Sequence, residues 1–176
     1  MINIHNVVLK LSPWVERFEP LIPKGGRILD LAAGSGRHSS FLLGCGHSVL
    51  AVDQDIVALS SIHHDQLEVR ALNLEGAEWP LHGEQFSAII VTNYLYRPYL
   101  DYLPQMLSVE GLLIYETFAT GNARFGKPSN PNFLLNTGEL LDLALRKHLK
   151  VLAYEDIHQK EPKEAMIQRI CALKER

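Results

Sequence analysis

Residues Arg27–Ser39 read RILDLAAGSGRHS: a short apolar run, an acid, a string of small residues, then the opening of a helix. Ile28, Leu29 and Leu31 predict a strand buried on both faces, and the small residues from Ala32 to Gly36 let main chain come close to a ligand. A helix N-terminus placed there offers unpaired N–H groups and the positive end of its dipole. A lone Gly-x-Gly also serves plain tight turns, so the meaning of this stretch depends on what surrounds it.

Upstream, Ser12-Pro13-Trp14 predicts a helix start, with Ser12 capping, Pro13 at the first helical position and Trp14, Phe18 and Leu21 on one face. Pro20 and the run Pro23 to Gly26 end that helix. Downstream, a helix is expected through Leu43, closed by Gly44 and Gly46, followed by a second strand from His47 to Val52 that ends at Asp53. This is a βαβ unit, and Asp53 stands 19 residues past Gly34, where a ribose-binding acid falls in such units.

A short helix (Ile56 to Ser61), a third strand (Gln66 to Leu72, ending at Asn73) and a loop (Gly76 to Gln85) follow. Ser87 to Thr92 is apolar and β-branched and reads as a central strand ending in Asn93-Tyr94. Pro98 predicts a helix carrying Leu100, Leu103 and Leu107 on one side, kinked or delayed by Pro104. A fifth strand, Gly111 to Tyr115, finishes at Glu116-Thr117. Residues 118–136 lack periodicity and are rich in Gly, Pro and Asn, the composition of a lid or binding loop. Asn136 and Glu139 have capping-box spacing for a helix to about Lys147, and Val151 to Ile157 and Ala165 to Leu173 predict an antiparallel hairpin.

The 176 residues, 47% hydrophobic and 21% charged, suit one domain spanning 1–176, with 1–11 as an N-terminal extension that lacks the marks of a signal peptide. Cys45 and Cys171, far apart and outside any Cys-x-x-Cys, are expected as free buried thiols in a reducing cytoplasm. A net charge of −3 without a basic stripe disfavours nucleic acid as a partner, and no apolar run is long enough for a membrane. The histidines, His5, His47, His63, His64, His82, His148 and His158 among them, lack metal-ligand spacing and read as surface or capping residues; no metal is expected.

In order and interval, ILDLAAGSG, AVDQD, NLE, FSAIIVTNYL and GLLIYETF resemble the class I S-adenosylmethionine-dependent methyltransferases. The GRHS at Gly36 resembles the corresponding run of small bacterial members of the tellurite-resistance type. The resemblance implies an α/β, Rossmann-like, seven-stranded, mostly parallel sheet with helices on both faces and a C-terminal antiparallel hairpin. It implies S-adenosylmethionine as cofactor, with Asp30 near the methionine ammonium and Ala32, Ala33, Gly34, Ser35 and Gly36 packing against its methionine and ribose parts. Asp53 would accept the ribose hydroxyls, Gln54 would lie on the adenine, Asn73 and Leu74 would meet the adenine edge, and Asn93 and Tyr94 would close the site. Arg37, with His38 beside it, would serve the cofactor carboxylate or the lid, since a cation opposes the dipole at a helix start. Two residues depart from the family pattern: Ala32 stands for the first turn glycine, tolerable with ordinary dihedral angles, and Asn73 stands for an acid. A nicotinamide or flavin site would need a third glycine where Ser39 stands.

Methyl transfer is an in-line displacement, for which holding donor and acceptor together does much of the work. Three residues at strand ends are candidates for the acceptor side: Tyr94 lining the channel, Arg97 holding an anionic acceptor, and Glu116 orienting or deprotonating a nucleophile. Asn-Pro-Pro-Tyr is absent and no cysteine follows the fourth strand, which leaves a small-molecule acceptor favoured. The alternative is a non-catalytic S-adenosylmethionine-binding sensor or accessory module.

Overall fold

The fold comes from a computed structural model that describes residues 10–176; most of the expected extension over 1–11, with His5, lies outside the described residues. The strands β1 (Arg27–Leu31), β2 (Ser48–Asp53), β3 (Leu67–Ala71), β4 (Phe86–Thr92), β5 (Leu107–Phe118), β6 (Lys150–Gln159) and β7 (Ala165–Leu173) form one sheet in the order β3-β2-β1-β4-β5-β7-β6. β1 to β5 run parallel, β7 is antiparallel to β5, and β6 to β7. The expected fold class is therefore the observed one. Strand order reverses between β1 and β4, so their carboxyl ends open the crevice in which such sheets bind ligands.

Alternation along the strands divides the core. Leu29, Leu31, Leu50, Val52, Ile89 and Val91 pack on one face; Ile28, Val49, Ala88 and Ile90 pack on the other, against Leu42 and Leu43 of α2 (Arg37–Gly44). α1 (Pro13–Phe18) joins that second face: Ser12 Oγ accepts the Trp14 and Val15 N–H groups, and the Trp14 indole N–H donates to the Ile170 carbonyl at 3.1 Å. Among the described residues no helix is long and apolar enough to cross a membrane.

Several sequence expectations are corrected. Leu21 is 55% exposed, because Pro20 turns the chain into a 3₁₀ segment (Glu19–Leu21) that rotates it outward and buries Ile22 instead. The expected Ile56 to Ser61 helix is only a 3₁₀ turn, Leu59–Ser61; the Asp53 and Asp55 carboxylates accept the Asp55 and Val57 N–H groups and compete with helix formation. The helix after Asn93 is one turn, α3 (Arg97–Leu100), since the Pro104 ring would clash with the Leu100 carbonyl; a 3₁₀ turn follows and Leu107 begins β5. α4 (Glu139–Arg146) uses half of the capping box: Glu139 Oε2 accepts the Asn136 N–H at 2.7 Å, but the N-cap is Gly138 in the left-handed region. His47 is buried against Glu19 at 2.7 Å and is no surface residue, and of the two free cysteines only Cys171 is buried, Cys45 being half-buried.

Candidate active site

The stretch from Asp30 to Gly36 turns three times through the left-handed region, at Ala32 (φ 55°), Gly34 (φ 56°) and Gly36 (φ 74°). The Ala33 N–H donates to the Val52 carbonyl and the Gly34 N–H to Asp53 Oδ2 at 2.9 Å, so the turn is tied to the end of β2. Space above Gly34 is open, whereas a Cβ on Gly36 would lie 2.5 Å from Ile62 and 2.7 Å from Leu59. Ala32 thus lacks the ordinary dihedral angles under which an alanine is tolerable. A left-handed alanine is strained by about 1 kcal/mol or more, so Ala32→Gly is expected to stabilise the chain by about 1 kcal/mol in urea denaturation.

Asp30 is the electrostatic centre of this turn. It is 2% exposed, Ser39 Oγ donates to its Oδ2 at 2.6 Å, and it makes no ion pair among the described residues. Burial pushes its carboxyl up to about 6, against the opposing pull of Ser39 and Arg37. Asp53, Gly34 and exposed Ser35 lie beside it at the carboxyl ends of β1 and β2; exposed Gln54 follows Asp53. Asn73 sits farther out, past β3, its side-chain oxygen accepting the Glu75 N–H at 3.0 Å next to buried Leu74. Asn93 is left-handed (φ 56°) and its N–H donates to the Glu116 carbonyl.

Arg37 and His38 face β4 and β5. His38 is 1% exposed; its Nε2 accepts the Ser12 N–H at 3.2 Å, and its Nδ1 stands 3.4 Å from Thr92 Oγ1. Burial, with Arg37 beside it, lowers the imidazole to about 3, so it is neutral. Half-buried Arg37 reaches only His38 Nε2 and Thr92 Oγ1, each at 3.4 Å, and makes no ion pair among the described residues.

The three acceptor-side candidates are more committed than the sequence implied. Glu116 accepts from Ser12 Oγ at 2.8 Å and pairs with Arg169 at 3.1 Å; Arg169 in turn pairs with Glu155. Arg97 forks onto Glu139 at 2.7 and 2.8 Å and donates to the Asn132 and Leu134 carbonyls. Its guanidinium therefore fastens the 118–136 loop, which a bridge between Ala119 and Leu135 also closes at its base. Arg97→Ala should remove about 1–2 kcal/mol of that tether, and limited proteolysis within 118–136 should quicken while cleavage elsewhere does not. Burial raises Tyr94 well above the ordinary phenol range, so it remains a protonated donor.

Sequence reading missed what the tyrosines do together. The Tyr94, Tyr96 and Tyr99 hydroxyls donate to the successive carbonyls of Leu74, Glu75 and Gly76, and Tyr115 donates to the Tyr94 carbonyl at 2.7 Å. The run YLYRPYLDY was the available signal. It fixes the Asn73 to Gly76 loop over the crevice. A cavity of about 280 Å³ opens beyond it, between the ends of β4 and β5 and the 118–136 loop. No group of His, Cys, Asp and Glu among the described residues is arranged to hold a metal.

No protein-family profile matches the chain, and no curated protein matches its sequence. Solved structures do match its fold. The Burkholderia thailandensis 1,6-didemethyltoxoflavin-N1-methyltransferase, crystallised with 1,6-didemethyltoxoflavin and S-adenosylhomocysteine, superposes with TM-score 0.71 at 18% identity, over 94% of this chain and 78% of that one. TehB from Haemophilus influenzae gives 0.72 at 17%, over 97% and 64%. A Listeria monocytogenes protein described as a putative S-adenosylmethionine-dependent methyltransferase gives 0.68 at 14%, over 93% and 98%. This chain has the fold of the S-adenosylmethionine-dependent methyltransferases.

Proposed function

We propose that this protein is an S-adenosylmethionine-dependent methyltransferase acting on a small molecule. The observation that carries the reading is the pairing of a buried Asp30 carboxylate, without an ion pair among the described residues, with the Gly34–Asp53 tie one turn away. A carboxylate kept dry at such cost fits a cationic ligand group, and the open space over Gly34 fits a ligand laid against main chain. Bound there, S-adenosylmethionine supplies an activated methyl group on a sulfonium.

Asp30 would hold the ammonium end, and Arg37, without an ion pair, the carboxylate. Each Asp53 oxygen takes one backbone N–H and keeps lone pairs for a ribose hydroxyl. Gln54, Asn73 and Leu74 would border the adenine, the last two on the loop that the tyrosines hold, while Ala32, Ala33, Ser35, Gly36, His38 and Asn93 shape the backbone around it. We assign Arg97 to positioning the 118–136 loop and Glu116 to the Ser12–Arg169 network, since both are fully engaged.

The test is methyl transfer from labelled S-adenosylmethionine to fractionated small metabolites. Label should enter a small-molecule fraction with the wild type and fall at least tenfold with Asp53→Ala. Cofactor binding with no label transferred to any fraction would favour the sensor module instead.

A further inference from the structure

The 280 Å³ cavity takes none of its lining from Asp30, the glycine turn or Asp53, so on the reading proposed above it is the acceptor's compartment. Its walls are aromatic and apolar: Tyr94, Phe118 and Phe133, with Leu95 and Pro128. Since a 150 Å³ apolar cavity holds benzene, this one has room for about two rings. Among the described residues the polar groups on the wall are few, Asn93 and the buried Thr117, and the only carboxylate is Glu75.

Among the described residues no Lys, Arg or His lines the cavity. Of the arginines around it, Arg97 is spent on Glu139 and Arg169 on Glu116 and Glu155, while Arg37, on the reading above, serves the cofactor carboxylate. An anionic acceptor would meet Glu75 without a compensating cation, contrary to the expectation that Arg97 holds one. A flat neutral or cationic ring finds aromatic faces and a carboxylate. Among the described residues the wall also offers no base: Tyr94 donates to the Leu74 carbonyl, and Glu116 does not line it. The nucleophile must then bring its own lone pair.

We propose that the acceptor is an N-heteroaromatic or aromatic amine of one or two rings, uncharged or cationic, alkylated on nitrogen. The new bond forms from the nitrogen lone pair as the carbon–sulfur bond breaks, with its electron pair returning to sulfur. Positive charge passes to nitrogen beside Glu75, and any proton on that nitrogen leaves to water.

The experiment uses the whole chain. S-adenosylhomocysteine is titrated first by calorimetry; failure to bind would sink the methyltransferase reading and this proposal with it. With that ligand saturating, isoquinoline and the similarly sized anion 1-naphthoate are compared by ligand-observed NMR. Isoquinoline should bind and naphthoate should bind at least tenfold more weakly. Phe133→Ala, at a half-exposed position, should weaken isoquinoline on the order of tenfold and leave S-adenosylhomocysteine unaffected. Glu75→Lys should shrink or invert the preference against naphthoate. With S-adenosylhomocysteine bound, equal or tighter binding of naphthoate, no binding of either ring, or indifference to Phe133→Ala would overturn the proposal.

Discussion

Asp30→Asn is expected to make the free protein more stable and the cofactor complex weaker. A carboxyl that titrates near 3.8 in water and at about 6 in the folded chain favours folding only while protonated. The stability it contributes is complete below pH 3.8 and is lost as pH rises through about 6, a difference of about 3 kcal/mol at pH 7 by linkage. Asparagine keeps an acceptor for Ser39 and removes the charge, so a gain of about 1–3 kcal/mol is expected at neutral pH. His38 works in the opposite direction: its lowered value means stability is lost as pH falls below 6.5. Wild-type stability alone therefore mixes two slopes. The clean readout is the wild-type-to-Asp30→Asn difference in urea denaturation, which should be near zero at pH 4 and full at pH 7. Loss of the charged partner should raise the S-adenosylmethionine Kd at least tenfold, corresponding to about 1.5–3 kcal/mol. A variant no more stable than wild type at pH 7, with affinity intact, would mean that Asp30 is merely structural.

Gly36→Ala should be more damaging than Gly34→Ala, although the two glycines are near neighbours. Both are left-handed, which costs an alanine about 1–2 kcal/mol. At Gly34 that is all, since nothing lies within 4 Å of the added methyl. At Gly36 the methyl would also press into Ile62 and Leu59, the latter fully buried, adding about 1–3 kcal/mol of overpacking. The expected totals are about 1–2 kcal/mol for Gly34→Ala and about 2–5 for Gly36→Ala, measured from denaturation midpoints at constant m. Equal losses would mean that α2 can shift away from the 3₁₀ turn at Leu59.

The sheet was readable because its strands are short apolar runs punctuated by Gly, Pro and acids, and two-sided burial leaves little freedom in register. The places of Asp30, Gly34 and Asp53 at and just beyond the ends of β1 and β2 were readable for the same reason. What failed depends on competition between local and distant partners. Arg97 looked free because its four acceptor atoms lie 35 to 42 residues away, two carbonyls in a loop without periodicity and the two carboxylate oxygens of Glu139 at the start of α4. Glu116 is held by Ser12 and Arg169, 104 and 53 residues distant. The Ile56 helix failed because Asp53 and Asp55 side chains take the N–H groups at its start. The left-handed Ala32 has no signature in composition at all.

We infer that the crevice between β1 and β4 binds S-adenosylmethionine through the buried Asp30 carboxylate, and calorimetric titration of the cofactor at pH 7.5 and at pH 5 decides it. One molecule should bind per chain, several-fold more weakly at pH 5, where Asp30 holds its proton. No saturable binding at either pH, or an affinity that rises on acidification, would contradict it.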